Sequence, residues 1–167
     1  MRKWVLFVFV VLLVSGCSRA GDNEYAAGDL RAKNHVAGQT INWFKVNGYR
    51  APGLGGGYCC VMLPEKWTPG LKAHVEWELD PNPKEHIPME KEGFGYEKEA
   101  YARHKANYQK HSAVVDIPQY GEERCGITVH FLPCNQVKVT TICDGYGTPD
   151  YPIKEPLEMK EPAQCPK

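Results

Sequence analysis

Short stretches of alternating apolar and polar residues dominate the chain, and this alternation predicts β-strands. In the clearest stretch, Ala73, Val75, Trp77 and Leu79 alternate with polar residues, as expected for a strand with one buried and one solvent-exposed face. Further short apolar runs, each bounded by Gly, Pro or Asn, cover residues 41–46, 58–63 and 114–117. The pattern therefore predicts a mainly β fold.

Two neighbouring runs, residues 125–132 and 137–143, predict a β-hairpin that turns near Cys134. With that turn, residues whose numbers sum to about 268 face each other across the two strands. Cys125 then lies opposite Cys143, within the reach of a disulfide.

One segment has helical rather than alternating character. Residues 97–110 lack strand periodicity and carry only a thin apolar stripe, so they predict a helix that lies on the surface of a sheet. The polar loop before it spans residues 82–96. Together these elements predict a single antiparallel, β-sandwich-like domain with one surface helix.

The N-terminus has the pattern of an export signal. Arg2 and Lys3 precede an unbroken apolar run over residues 4–14, which is shorter than the about 20 residues that a transmembrane helix needs. The next residues, Val14-Ser15-Gly16-Cys17, resemble the lipobox of bacterial lipoproteins. The resemblance implies cleavage before Cys17 and lipid attachment to that cysteine, and Ser18 after it implies the periplasmic face of the outer membrane.

These features predict three regions. Residues 1–16 form the signal peptide, residues 17–38 a lipid-anchored flexible tether, and residues 39–167 one β-rich domain that ends in a proline-rich tail. We expect that tail to run extended over the surface, pinned by Cys165.

Charge argues against nucleic acid as a partner. Without Arg2 and Lys3, the chain keeps 18 basic and 20 acidic residues, a net charge of −2. This offers no basic surface for DNA, RNA or an anionic bilayer, so contact with the membrane is expected through the lipid anchor alone.

The cysteine count predicts a disulfide-stabilised domain. Of the seven cysteines, Cys17 is assigned to lipid, and six remain for three bridges in an oxidising compartment. We expect Cys125 to pair with Cys143. Cys59 and Cys60 point to opposite faces of one strand, so we expect them to pair separately with Cys134 and Cys165. A metal site is the alternative, but no cysteine pair has the spacing of a zinc knuckle.

Candidate catalytic residues are scarce, and the chain is predicted not to be an enzyme. After cleavage only Ser18 and Ser112 remain as serines, without a nucleophile elbow. His104 and His111 lie two helical turns apart, too far for one metal ion, and are interpreted as solvated, as is His86. His74 and His130 are assigned to the exposed faces of strands. No cofactor, metal or small-molecule substrate is expected.

Two loops carry the residues that we expect to contact a protein partner. Exposed aromatic residues and arginine are typical of interface hot spots. The partner-binding candidates are Tyr49, Arg50, Phe94 and Tyr96.

Several motifs together resemble a known family. They are Phe44-x-Val46-Asn47-Gly48, Gly56-Gly57-Tyr58-Cys59-Cys60-x-x-Leu63-Pro64-x-x-Trp67-x-Pro69-Gly70-Leu71, Val75-x-Trp77 and Val129-His130-Phe131-Leu132-Pro133. They look like a family of bacterial lipoproteins, long called a domain of unknown function, whose members are encoded beside type VI secretion phospholipase effectors and serve as their immunity proteins. The likeness runs from about residue 38 to about residue 140.

The resemblance implies a function. It implies that the protein binds a phospholipase effector in the periplasm and protects the lipids of the producing cell. The alternative from another class is a structural or accessory envelope lipoprotein that docks on a membrane or secretion assembly.

Overall fold

A computed structural model describes residues 24–166, which form eight strands, one α-helix and one short 3-10 turn. The strands are β1 Tyr25–Asn34, β2 Thr40–Val46, β3 Tyr49–Pro52, β4 Gly55–Pro64, β5 Lys72–Asp80, β6 Gln109–Asp116, β7 Ile127–Leu132 and β8 Gln136–Thr140. The helix α1 is Lys98–Lys105, and the 3-10 turn is Pro133–Asn135. Among these residues, no helix combines the length and apolarity needed to cross a bilayer.

The strands form two four-stranded sheets that pack face to face, which confirms the predicted mainly β sandwich. Sheet 1 has the order β4-β1-β7-β8 and sheet 2 the order β3-β2-β5-β6. All pairings are antiparallel except that of β1 with β7, which is parallel.

Inward-facing residues of both sheets fill the core, as the alternation predicts. Phe131 of sheet 1 contacts two aromatic residues of sheet 2, with ring centroids 5.3 Å from Trp77 and 6.0 Å from Phe44. All three side chains are nearly or completely buried. Such aromatic contacts between the sheets supply a large share of the apolar area that stabilises a sandwich.

The predicted tether at residues 17–38 is wrong over residues 25–34, which belong to the folded domain. Residues 25–34 form β1, which lies inside sheet 1 between β4 and β7, and Leu30 of this strand is completely buried. The sequence misled because Gly and Ala suit a flexible linker, whereas here Gly28 passes close to Gly126 and the small residues let β1 fit between its neighbours. Cys17 lies outside the described residues.

The proline-rich tail packs against the outer face of sheet 1. Tyr151 and Ile153 of the tail are buried, and Val36 forms a bridge with Met159. As a result, all six residues of β7 are buried, and His130 has no exposed surface. The prediction that His130 occupies an exposed strand face is therefore wrong, because a distant segment covers that face.

The disulfides confirm one predicted pair and correct the others. The β7–β8 register pairs Val129 with Val139, a sum of 268, and Cys125 pairs with Cys143 at a Cα–Cα distance of 4.9 Å.

Cys59 pairs with its neighbour Cys60, and Cys134 pairs with Cys165, so the expected pairing of Cys59 and Cys60 with Cys134 and Cys165 is wrong. β1 lies between β4 and β7, which keeps the β4 cysteines away from the turn that holds Cys134, whereas the tail brings Cys165 beside it.

The predicted helix exists but is shorter. It ends at Lys105, and residues 109–116 form β6 instead. Consequently His111 lies on a strand, where it packs beside Trp77 at 5.4 Å, and does not share a helix face with His104. The alternation of residues 111, 113 and 115, which are partly buried, is strand-like and was hidden by the helical residues before it.

Candidate interaction surface

The outer face of sheet 2 is uncovered over most of its area, unlike the outer face of sheet 1. Because Val75, Trp77 and Leu79 point into the core, Glu76 and Glu78 point outward. Their strand neighbours form charged rows across the face, with Lys45–Glu76 at 3.7 Å and Lys110–Glu78 at 4.0 Å. Because Lys110 is mostly exposed and Lys45 and Glu76 are partly exposed, water screens these pairs and they contribute little to stability.

Trp43 lies on this face between two cations. The guanidinium carbon of Arg50 lies 4.6 Å from the Trp43 ring centroid, and the Lys45 ammonium lies 5.5 Å from it. Cation–π contacts of this kind hold the flexible Arg50 side chain in a defined position. The result is an aromatic and basic cluster at the β2–β3 edge of the sheet.

At the opposite end of this face, a buried histidine ties α1 to the last residue of β5. His104 Nε2 lies 2.9 Å from Asp80 Oδ2, and His104 Nδ1 lies 2.7 Å from Glu85 Oε2. The His104 side chain is only 5% exposed, which corrects the prediction that it is solvated. The hydrogen bond to Glu85 is the largest cause that raises the pKa of His104, so the two carboxylates favour the cationic form of the ring.

Aromatic residues continue from this anchor toward the loop over residues 81–97. Tyr108 packs edge-on against His104 at 5.4 Å, and burial is the main cause that raises the pKa of Tyr108 to about 12. Tyr101 of α1 stacks on Tyr96 of the loop at 5.7 Å. The helix thereby fixes the position of the loop.

The end of this loop is a small hairpin, which we call the tip hairpin, residues 88–97. Met89 and Tyr96 form an antiparallel bridge, with Glu90 N–H donating to the Gly95 carbonyl at 3.0 Å and Glu97 N–H to the Pro88 carbonyl at 2.8 Å. Gly93 and Gly95 have φ values of 107° and 111°, a conformation that only glycine adopts readily, so they permit the tight turn around Phe94. Phe94 is fully exposed.

The four predicted partner-binding residues are all exposed, but they divide into two groups. Tyr49 and Arg50 begin β3 at the end of sheet 2 where Val46 pairs with Val75. Phe94 and Tyr96 belong to the loop that leaves the other end of the sheet, after Asp80. The uncovered face of sheet 2 lies between the two groups.

A second buried polar cluster lies under the tail and was not predicted. His35 Nδ1 lies 3.0 Å from the Pro156 carbonyl, His35 Nε2 lies 2.8 Å from His130 Nδ1, and His130 Nε2 lies 2.7 Å from the Tyr151 hydroxyl. A carbonyl only accepts, so His35 donates through Nδ1 and accepts at Nε2 from His130, which accepts in turn from Tyr151. Burial, aided by the nearby His35, lowers the pKa of His130 to about 3, so the ring is neutral.

In both buried histidine clusters, each ring nitrogen of His104 and His130 already has a hydrogen-bond partner within the domain. Within residues 24–166, one group of side chains has its potential metal-ligand atoms close enough together to hold an ion. It consists of Cys134, Glu161 and Cys165. Two of its members form a disulfide, and the Glu161 carboxylate accepts from the Cys134 N–H at 2.9 Å, so this group stabilises the tail instead.

Comparison with known proteins gives one match. A family model described as "protein of unknown function (DUF3304)" matches residues 33–139. The match covers β2 to β7 and nearly all of β8, but it leaves out most of β1 and the tail. No curated protein and no solved structure matches the chain significantly.

Proposed function

The chain belongs to the DUF3304 family, and we propose that it is a periplasmic lipoprotein that binds and inhibits a type VI secretion phospholipase effector, as an immunity protein. The observation that carries the proposal is the preformed, exposed surface made by the outer face of sheet 2 and the tip hairpin. A binding protein needs such a surface and no catalytic group.

The motif residues behind the resemblance to immunity lipoproteins serve mainly the fold. Leu63 lies in the core, and Trp67 Nε1 donates to the Ile117 carbonyl at 2.9 Å, which ties the β4–β5 connection to the residue after β6. The loop over residues 81–97 lies outside these motifs. A fold common to a family, with a loop that lies outside the family motifs, allows each member to recognise a different partner.

The outer face of sheet 2 is large enough for a stable complex only if the tip hairpin and the Tyr49–Arg50 end contact the partner as well. Sheet 2 spans about 14 Å across its four strands and about 27 Å along β5, or about 400 Å². A stable interface buries about 800 Å² on each partner. The face alone is therefore too small, and the tip hairpin at one end and Tyr49 and Arg50 at the other would complete it.

Inhibition by this surface requires no chemistry. A phospholipase must present its active-site rim to the membrane, so a rigid domain that covers the rim blocks access to lipid. The hydrogen-bonded tip hairpin and the disulfides favour binding because fewer conformations are lost on association.

The test is to titrate the domain against the phospholipase encoded beside it, measuring binding and lipid hydrolysis. All described strands and all three bridges lie within residues 24–166, so a chain that starts at Ser18 contains the whole described fold. We expect hydrolysis to stop at a one-to-one ratio, with a Kd in the nanomolar range, about −12 kcal/mol.

A failure of the pair to associate at micromolar concentration contradicts the proposal. The alternative, docking on a membrane or secretion assembly, would then take its place. A heat-denatured sample of the domain is the control for nonspecific loss of activity.

A further inference from the structure

We propose that the tip hairpin is the element that enters the enzyme, and that its binding site is an apolar cleft with a basic rim, the part of a phospholipase that contacts anionic lipid. This inference rests on the proposed function and names the chemistry of the partner's site. It uses residues 88–97 and the helix beneath them.

The tip hairpin has three large apolar side chains that are exposed to solvent. Phe94 is fully exposed, Met89 is 61% exposed and Tyr96 is 51% exposed. In a water-soluble domain, a protruding cluster of this kind marks a site of interaction. The bridge between Met89 and Tyr96 and the stacking of Tyr96 on Tyr101 show that the cluster has a defined shape.

Carboxylates alternate with this apolar cluster along the hairpin sequence. The tip hairpin contains Glu90, Glu92 and Glu97 but only one cation, Lys91, and all four are exposed or partly exposed. An apolar centre with negative charge around it has the same chemistry as an anionic phospholipid, which presents acyl carbon next to a phosphate. Its complement is a cleft that is apolar inside and basic at the rim.

The same charges argue against insertion of the hairpin into the membrane. Carboxylates next to Phe94 would be repelled by an anionic bilayer surface, which instead attracts Lys and Arg. The pattern therefore favours the enzyme over the membrane as the occupant.

The cluster of Asp80, His104 and Glu85 supports this role by fixing the base of the loop. Asp80 precedes the loop, Glu85 lies within it, and His104 lies in the helix after it. Asp80 Oδ1 also accepts from Asn82 N–H at 2.8 Å, which shapes the first turn of the loop. The hairpin is thus presented by a rigid base.

The experiment compares two variants with matched controls in binding to the neighbouring phospholipase. We expect Phe94→Ala to raise Kd at least about tenfold, or 1.4 kcal/mol, and the double variant Glu90→Lys, Glu92→Lys to lower the association rate with a weaker dependence on salt. The controls are Leu157→Ala, an exposed apolar residue of the tail, and Glu122→Lys with Glu123→Lys, both exposed. We expect both controls to bind like the unchanged protein.

Each result has a separate meaning. If the unchanged protein does not bind, the proposed function fails. If it binds and the tip variants bind equally well, the proposed function stands and this inference is wrong. Sedimentation with phosphatidylglycerol vesicles, using the chain that starts at Ser18, adds a further test. Vesicle binding that depends on Phe94 would show that the hairpin inserts into the membrane and would overturn the inference.

Discussion

His130 shows how a single residue depends on its surroundings. Its position in an alternating strand predicts exposure, yet the tail buries it within a chain of three hydrogen bonds. Burial is the main cause that lowers its pKa to about 3, so the ring is neutral. Nearby Lys33 and Lys138 also oppose a positive charge there, whereas Glu155 favours it.

Acid is therefore expected to destabilise the protein through His130. The pKa of this residue is about 3 in the fold and about 6.5 in the unfolded chain, so between these values the unfolded state binds more protons and stability falls as pH falls. From pH 7 to pH 5 we expect a loss of about 2 kcal/mol.

Urea unfolding at several pH values measures this loss. The comparison is with His130→Gln, which lacks the titration, and with His74→Gln, whose histidine is exposed and whose pH slope we expect to match the unchanged protein. Equal slopes for the unchanged protein and His130→Gln would contradict the prediction. The comparison also removes the contribution of His104, whose raised pKa stabilises the fold at low pH and ceases to do so as pH rises through that pKa.

Among the elements, β1 lies inside a sheet although the sequence predicted a tether there. Its residues pair with both β4 and β7, so it is one of the two inner strands of sheet 1. A chain that starts at Val36 would lose this strand and leave β4 and one edge of β7 without their hydrogen-bonded neighbour.

We expect such a chain to be unfolded, whereas a chain that starts at Ser18 folds. Circular dichroism and the sharpness of thermal unfolding distinguish the two. A cooperative transition in the shorter chain would show that β1 is dispensable, as a tether would be. A chain that starts at Glu24 is the matched control, because it keeps the whole of β1.

Local patterns predicted the elements well where the contacts are local. The β5 alternation and the β7–β8 register depend on neighbouring residues, and both are confirmed. β1, the tail and the Cys134–Cys165 pair depend on which distant segments meet, and no local period encodes that. At the candidate surface, exposure of Tyr49, Arg50, Phe94 and Tyr96 was predictable, but the Asp80–His104–Glu85 anchor was not, because its members are far apart in sequence.

At the scale of the whole molecule, the proposed function requires the protein to stay in the envelope. The lipid anchor on Cys17 remains a prediction from the sequence. Each buried CH₂ of an acyl chain contributes about 0.8 kcal/mol, so a residue with several chains is attached almost permanently.

We expect Cys17→Ala to abolish labelling with palmitate and to prevent normal processing. The readout is incorporation of labelled palmitate, followed by fractionation of the cell envelope. Labelling that persists in this variant would contradict the assignment. Cys59→Ala together with Cys60→Ala is the control, since these cysteines pair with each other and should leave labelling unchanged.

The two ends of β5 separate the entry of the chain from the tip hairpin. Glu65 N–H donates to the Glu24 carbonyl at 2.7 Å, so the chain that comes from the proposed anchor enters beside the β4–β5 connection, where β5 begins at Lys72. The loop with the tip hairpin leaves from the other end of β5, after Asp80. The tip hairpin would therefore lie about 27 Å, the length of this strand, farther from the proposed anchor than the β4–β5 connection. The active-site rim that the hairpin enters would then be held away from the lipid headgroups, while the rest of the interface extends back toward the anchor.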